Sequence, residues 1–197
     1  DGGLIPRGPS GGNYTYVMTG ASTTPFIVSA YMKGIRGFDI EKAYEGMLKN
    51  ALPGGIMSKV GYEHNTNKGG GIEYYIDRGY VPFPLYDKQY GYHQCGPGVT
   101  IEYAYQDWTL AQMAKALNKM SDHKMLQKRA SNYRNIYDSS SGWMRARTLD
   151  GNWIEPFDPL VYENDYKDPL GSGFVEATAA AATWFVPHDL AGLADLM

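Results

Sequence analysis

The chain has 197 residues, of which 43% are hydrophobic and 20% charged, and its formal net charge is -3 at pH 7. These values are those of an ordinary folded domain with a sizeable core, and no Lys/Arg cluster forms a stripe that could follow phosphates, which argues against a nucleic-acid partner. No stretch of the sequence reaches the roughly 20 apolar residues of a membrane span, so none is predicted.

The first part of the chain predicts an irregular entry followed by two helices. Residues 1–23 are rich in Gly, Pro, Ser and Thr, which favours turns. A first helix is expected over about 24–35. Asp39 is expected to cap the next helix, because its carboxylate can accept hydrogen bonds from the free amides of the first turn. Apolar residues from Ile40 to Ala51 recur at helical spacing, and Pro53 with two following glycines ends that helix.

The middle of the chain combines a long loop region with the strongest predicted helix. Residues 54–98 are rich in Gly, Tyr, Pro and Asn, and predict loops with one short helix near 70–77. Loops of this length are usually functional. Thr100–Lys119 is apolar around most of its girth, which predicts a helix buried between neighbours. Ser121–Asp122 predicts the cap of a further helix over about 122–138.

The last part is again irregular before a final helix. Over Gly142–Pro169, Trp143 and Trp153 flank a predicted turn at Asp150–Gly151, and helix resumes near Ala177. Helices alternating with long aromatic-rich loops, with almost no strand-like alternation, predict an all-α domain. The 14% aromatic content is typical of proteins that stack rings on sugars, although Tyr also packs between helices.

Glu176 is the candidate catalytic residue. It is a single carboxylate between Phe174, Val175 and a run of small apolar residues. Desolvation by such neighbours raises the pKa of a carboxyl, so Glu176 is expected to serve as a general acid. The alternative is a Glu at the start of a helix, whose charge favours the positive helix end.

Several segments, in the right order, match one known family. They are Asp1–Arg7, Tyr31–Asp39, Ile101–Trp108, Asp150–Trp153 with Phe157–Pro159, and Trp184–Asp189. Through them the chain resembles, over nearly its whole length, the catalytic domain of the calcium-dependent α-mannosidases of glycoside hydrolase family 92. The resemblance implies that residues 1–197 are a single, partial domain, part of an (α/α)6 barrel, which in a longer polypeptide lies next to a β-sandwich. The abrupt start and finish of the sequence also predict a piece of a longer chain.

The resemblance implies an exo-acting hydrolase that releases mannose from α-mannosides or N-glycan-type substrates with inversion of configuration. Glu176 aligns with the general acid of the family. An inverting enzyme needs a second carboxylate about 6.5–9.5 Å away to activate water, and the resemblance places this base, with most ligands of a calcium ion that contacts the sugar, beyond Met197. It also implies a secreted or periplasmic protein.

The segment after Glu176 departs from the family pattern. Ala177–Ala182 stands where the family usually has Gly-Asn-Ala-Trp-Gln-Tyr, so an amide pair and two aromatic rings near the acid are missing. Thr178 keeps one hydrogen-bonding group and is the candidate substrate contact there. The replacement implies a larger or differently shaped substrate site. The alternative function is a non-catalytic carbohydrate-binding or scaffold module, in which the alanine run has removed the working site.

Three other residues are candidates for substrate binding. Trp143 and Trp153 are candidates for stacking on a sugar, with loop packing as the alternative. Glu102 is a candidate for contacting the sugar or orienting Glu176. For Glu102, and for Asp107 on the same helix, an ion pair with a Lys or Arg of a neighbouring helix is the alternative.

The histidines and the single cysteine predict no metal site. His188–Asp189 is expected to be structural, with Asp189 capping the next helix. Glu63–His64 and His93–Cys95 lack partners at metal-ligand spacing, so no zinc site is predicted. Because Cys95 is the only cysteine, an internal disulfide framework and a thiolate cluster are excluded.

Overall fold

The structure of the chain is a computed structural model that describes residues 3–6, 9–10, 13–14, 19–59, 68–86, 95–162 and 172–197. Its described part is mostly helical, as predicted. The elements in chain order are β1 (Pro9–Ser10), β2 (Asn13–Tyr14), α1 (Thr23–Met32), α2 (Ile40–Asn50), α3 (Ile56–Lys59), α4 (Ile72–Arg78), α5 (Gly96–Ala116), α6 (Met120–Arg129), a 3-10 helix (Asn132–Ile136), β3 (Tyr137–Asp138), β4 (Trp143–Met144), α7 (Ala179–Ala182) and α8 (Leu190–Ala194). In this part of the chain, no helix is both long and apolar enough to cross a bilayer.

Helix α5 is the centre of the fold and is buried around most of its girth, as its sequence predicts. It packs against α1, α6 and the 3-10 helix. One side of α5, with Tyr103 and Leu110, joins a core cluster shared with α1 to α4. The other side, with Ile101 and Ala104, joins a second cluster shared with the C-terminal third of the chain. The helix therefore connects the two halves of the domain.

The first cluster is held by tyrosines whose hydroxyl groups reach backbone carbonyls. The Tyr103 hydroxyl lies 3.0 Å from the Met57 oxygen and 2.7 Å from the Gly70 oxygen. The Tyr75 ring meets the Tyr103 ring edge-on at 5.4 Å, and the Tyr75 hydroxyl donates to the Arg129 carbonyl at 2.8 Å. Because each buried hydroxyl has a partner, these aromatic residues fill the core without an unpaired polar group.

Several predictions from local sequence patterns are confirmed. Helix α1 occupies the range predicted for the first helix, and α4 is the short helix expected near 70–77. Asp39 caps α2, since its carboxylate accepts from the Lys42 amide at 3.0 Å. The turn predicted at Asp150–Gly151 is also present, because the Gly151 amide donates to the Thr148 carbonyl at 3.0 Å with Gly151 at φ +86°.

The predicted cap at Ser121–Asp122 is wrong. Helix α6 begins at Met120, and the Asp122 carboxylate accepts instead from the Tyr44 hydroxyl of α2 at 2.8 Å. The helix predicted over 122–138 is also wrong in its second half, because α6 ends at Arg129 and the 3-10 helix and β3 follow. Strand β3 pairs antiparallel with β4, Tyr137 opposite Met144, inside a region that the sequence predicted to be helical and then irregular.

Candidate functional site

The turn that carries Glu176 lies between a buried phenylalanine and the start of α7. Phe174 is 1% exposed and belongs to the second core cluster, which anchors the turn. Gly173 has φ +75°, and a Cβ there would lie 3.0 Å from Pro97 Cδ and 3.1 Å from the Phe83 ring. Glycine is therefore required at the entry of the turn, both for the backbone angle and for the close approach to α5.

Glu176 itself has a left-handed backbone with φ +54°. This conformation costs an L-residue other than glycine roughly 1–2 kcal/mol, and such residues cluster at functional sites where the surroundings hold them. The side chain of Glu176 is exposed. The expected desolvation by its sequence neighbours is therefore wrong, because Phe174 turns inward while Glu176 points outward. The helix-start alternative is not realised either, since α7 begins only at Ala179 with Thr178 as its cap.

A cavity of about 210 Å³ lies beside this turn. Val175 and Ala177, which flank Glu176 in the sequence, form part of its wall, and Glu102 of α5 is its carboxylate. The other lining residues are Thr19, Cys95, Gly98, Ile101, Phe174, Ala182 and Phe185. The structure thus places the predicted sugar-binding carboxylate, Glu102, in the wall of a mainly apolar cavity that also includes both sequence neighbours of Glu176, whereas Glu176 itself is not part of the described wall.

Glu102 is held in place by a neighbouring amide. Gln106, one turn further along α5, donates from Nε2 to Glu102 Oε2 at 3.1 Å and accepts from the Ala21 amide at 2.8 Å. Gly20 has φ +75°, and a Cβ there would lie 2.4 Å from the Gln106 Nε2 atom. The segment before α1 therefore fixes Gln106, and Gln106 fixes the carboxylate on the cavity wall.

Thr178 has a structural role that the sequence analysis did not predict. Its Oγ1 accepts from the Ala181 amide at 3.1 Å and caps α7. The hydroxyl hydrogen is not used in that bond, so Thr178 can still donate one hydrogen bond. As described, the cavity wall includes Ala177 but not Thr178.

The two tryptophans lie outside the described wall of the cavity. Trp143 belongs to β4 and is half-buried, and the next residue, Met144, donates its amide to Thr183 Oγ1 at 2.9 Å. Trp153 carries the Arg147 guanidinium 4.8 Å from its ring centroid. One face of Trp153 is thus engaged in a cation–π contact within the protein, which is the loop-packing alternative for that face.

His188 and Asp189 are structural, as predicted. The Asp189 carboxylate caps α8 through the Gly192 amide at 2.9 Å and accepts from the Tyr133 hydroxyl at 2.6 Å. The hydrogen bond from Tyr133 lowers the pKa of Asp189. His188 Nε2 lies 3.0 Å from the Ala130 carbonyl oxygen, and burial among aromatic rings lowers the pKa of His188.

The described residues do not fit a calcium site. Within the ranges that the structure covers, no group of three or more His, Cys, Asp or Glu side chains could hold a metal ion. The pairs Glu63–His64 and His93–Cys95 lie outside the described residues, apart from Cys95. The Glu102 carboxylate accepts a hydrogen bond from the Gln106 side-chain amide.

Known proteins resemble the chain along its whole length. The family profile described as the glycosyl hydrolase family 92 catalytic domain matches residues 1–197. An uncharacterized secreted glycosidase of Arthroderma benhamiae is 24% identical over 209 residues, which cover 92% of this chain and 25% of that protein.

Solved structures of family GH92 proteins are also similar to the chain. A family GH92 inverting mannosidase from Bacteroides thetaiotaomicron is 32% identical with a TM-score of 0.79, covering 99% of this chain and 24% of that one. A family GH92 α-mannosidase from the same bacterium, in complex with mannoimidazole, is 30% identical with a TM-score of 0.77, covering 96% and 22%. The chain spans about a quarter of the length of these relatives.

Proposed function

Because the chain belongs to glycosyl hydrolase family 92, we propose that it forms part of the catalytic domain of an inverting exo-α-mannosidase, with Glu176 as the general acid. The observation that supports this role most is the left-handed backbone of Glu176, which presents an exposed carboxyl beside a cavity that contains Glu102. The family resemblance assigns this same residue, Glu176, as the acid. Backbone strain is expected at such a residue, because the reaction requires its side chain to point in one fixed direction.

In the proposed reaction, the Glu176 carboxyl protonates the glycosidic oxygen as the bond to the leaving group breaks. An exposed acid suits this step, because an exo-acting enzyme must leave the aglycone side of the bond open to solvent. The base that activates water from the opposite face, about 6.5–9.5 Å away, is proposed to come from another part of the polypeptide.

The remaining candidate residues are proposed to bind the sugar. Glu102, held by Gln106, would accept a hydrogen bond from a sugar hydroxyl inside the cavity. Thr178 would donate its hydroxyl hydrogen from the N-terminal cap of α7. Trp143 and the face of Trp153 opposite Arg147 remain candidates for stacking on more distant parts of a glycan.

The proposal also includes the setting of the domain. Residues 1–197 would form a single partial domain, one portion of an (α/α)6 barrel that packs against a β-sandwich in the complete polypeptide. The mannosidases that the chain resembles, together with a relative named as a secreted glycosidase, support an α-mannoside or glycan substrate and a secreted or periplasmic location. A calcium ion, as the resemblance implies, would take its ligands mostly from outside this chain.

The experiment that tests the proposal is Glu176→Gln in the complete polypeptide, assayed with two mannosides. With a poor leaving group, turnover should fall by roughly 10² to 10⁴, because the glycosidic oxygen then has no proton donor. With an activated aryl leaving group, which needs little protonation, the loss should be much smaller. Glu45→Gln, an exposed carboxylate on α2, is the matched control and should change neither rate.

Two outcomes contradict the proposal. Equal losses with both substrates, or none, would show that Glu176 is not the acid. Saturable mannoside binding by the unmodified protein without any mannose release would favour the alternative of a non-catalytic carbohydrate-binding or scaffold module.

A further inference from the structure

We infer that the N-cap and first residues of α5, Cys95–Gly98, position the Glu176 turn, and that the Cys95 sulfur is the atom that contacts it. The inference rests on the proposed role of Glu176 as the acid. Cys95 does not touch the reacting atoms in this scheme, so it is a positioning residue. Its effect would pass through the backbone of Val175, the residue that directly precedes Glu176.

The contact is a hydrogen bond between parts of the chain that lie 80 residues apart. The Val175 amide donates to Cys95 Sγ at 3.4 Å. A sulfur acceptor gives a long and weak hydrogen bond, but it fixes the Phe174–Val175 peptide, which lies one residue before the peptide that enters Glu176. Without this acceptor, the turn would be free to relax toward a lower-energy backbone, and the carboxyl would move with it.

Two glycines make the contact possible. A Cβ at Gly98 would lie 2.2 Å from Cys95 Sγ, so any other residue at this position would displace the thiol from its place. On the opposite side, a Cβ at Gly173 would lie 3.0 Å from Pro97 Cδ. Gly173 therefore allows the turn to approach Pro97 closely, Gly98 leaves room for the Cys95 thiol, and Phe174 secures the turn from the core side.

This contact lies in the wall of the cavity, where a change in it can affect catalysis. Cys95, Gly98 and Val175 all line the cavity that also contains Glu102. A displacement of the turn would thus change the distance between the Glu176 carboxyl and a sugar seated on Glu102. Misplacement of a catalytic group by about 1 Å can cost roughly 10² in rate.

The test uses Cys95→Ala and Gly98→Ala in the complete polypeptide, with the same two mannosides. Each variant should lower kcat for the poor leaving group by roughly 10- to 100-fold, leave KM within about twofold, and change the rate for the activated aryl substrate by less than about threefold. The double variant should lose no more than the more affected single variant, because the Gly98→Ala methyl group acts by displacing a thiol that is then absent.

Thr100→Ala is the matched control. Thr100 Oγ1 accepts from the Val81 amide at 2.9 Å, so this variant also removes a side-chain acceptor of a backbone amide near the start of α5, but the amide belongs to Val81 and not to the Glu176 turn. It should lower stability and reduce both activities equally. If the Cys95→Ala variant does not fold, the two activities of the Gly98→Ala variant alone test the inference.

The inference is overturned when Glu176→Gln shows the leaving-group-dependent loss while Cys95→Ala and Gly98→Ala reduce both substrates equally or neither. If Glu176→Gln itself lacks that dependence, the proposed function has failed, and the two failures are thereby distinguished.

Discussion

The Arg129 guanidinium clamps the Asp107 carboxylate inside the core, with 2.7 Å between Nε and Oδ2 and 2.9 Å between Nη2 and Oδ1. Nη2 also donates to the Ala51 carbonyl at 2.9 Å, so one side chain joins α6 to α5 and to the end of α2. Burial raises the pKa of Asp107 to about 6, and the positive charge of Arg129 opposes that rise. The ion pair predicted for Asp107 is confirmed.

Arg129→Met is expected to lose roughly 3–5 kcal/mol of unfolding free energy at pH 7, because it leaves a buried carboxylate without its cation. Without Arg129 the folded-state pKa of Asp107 rises above about 6, so the variant takes up a proton at a higher pH than the unmodified protein, and the loss should shrink as the pH falls toward about 6 and stay smaller below it. Urea unfolding at pH 7 and pH 5 measures both effects. Lys119→Met, which breaks the exposed ion pair with Glu41, is the control and should change stability far less.

The stability that Asp138 contributes is expected to depend on pH in the opposite direction to that of Asp107. Burial acts to raise its pKa, but hydrogen bonds from Ser140 and Arg145 outweigh this and hold the pKa at about 2. The stabilisation is therefore present above the ordinary pKa of 3.8 and is lost as the pH falls through about 2.

Asp138→Asn should thus cost most above pH 4, and its deficit relative to the unmodified protein should shrink by about 2 kcal/mol toward pH 2. Chemical unfolding along this pH series is the measurement. Ser140→Ala, which removes part of the hydrogen bonding, should show an intermediate dependence. A deficit that stays constant with pH would contradict the lowered pKa of Asp138.

Glu176→Gly should be more stable than Glu176→Ala by about 1 kcal/mol, because glycine adopts the left-handed conformation without the steric cost that alanine keeps. Both variants should lack the acid function. Thermal unfolding measures the difference, and the same pair of substitutions at Asn118, whose φ is +58°, is the reference. Equal stability of the two Glu176 variants, with a difference at Asn118, would mean that the strain at Glu176 is absent in solution.

Gly55→Ala should destabilise the protein by at least about 2 kcal/mol, because the new Cβ would lie 2.0 Å from the Lys49 carbonyl oxygen and 2.7 Å from Asn50 Cα. Neither backbone atom can move without disturbing the end of α2. Gly37→Ala is the control, since no heavy atom lies within 4 Å of its added Cβ, and it should stay within about 0.5 kcal/mol. Unfolding curves that coincide for the two variants would contradict the packing at Gly55.

The features that the sequence predicted correctly depend on neighbours in the chain. Asp39 and Asp189 each cap the helix that directly follows them, and α5 is buried on most sides because its own sequence is apolar around the helix. The Asp107 ion pair was also predictable, because a buried charge requires an opposite charge within reach.

The features that were predicted wrongly from the sequence depend on residues far away in the chain. Asp122 does not cap α6 because Tyr44 of α2 donates to it, a contact across 78 residues. Likewise, the outward direction of Glu176 follows from the burial of Phe174 against α5, which no local pattern reveals. The contact between Cys95 and Val175 leaves no signal in the sequence for the same reason.

The separation between Cys95 and Val175 also has a consequence for how the protein acquires its activity. The contacts between α5 and α6 span 22 residues at the Asp107–Arg129 pair, whereas the turn is anchored across 80. Contacts that close longer loops carry a larger entropy cost and form later in folding. We therefore expect helical circular dichroism to return before mannoside hydrolysis during refolding, because the acid reaches its place only after the largest of these loops has closed.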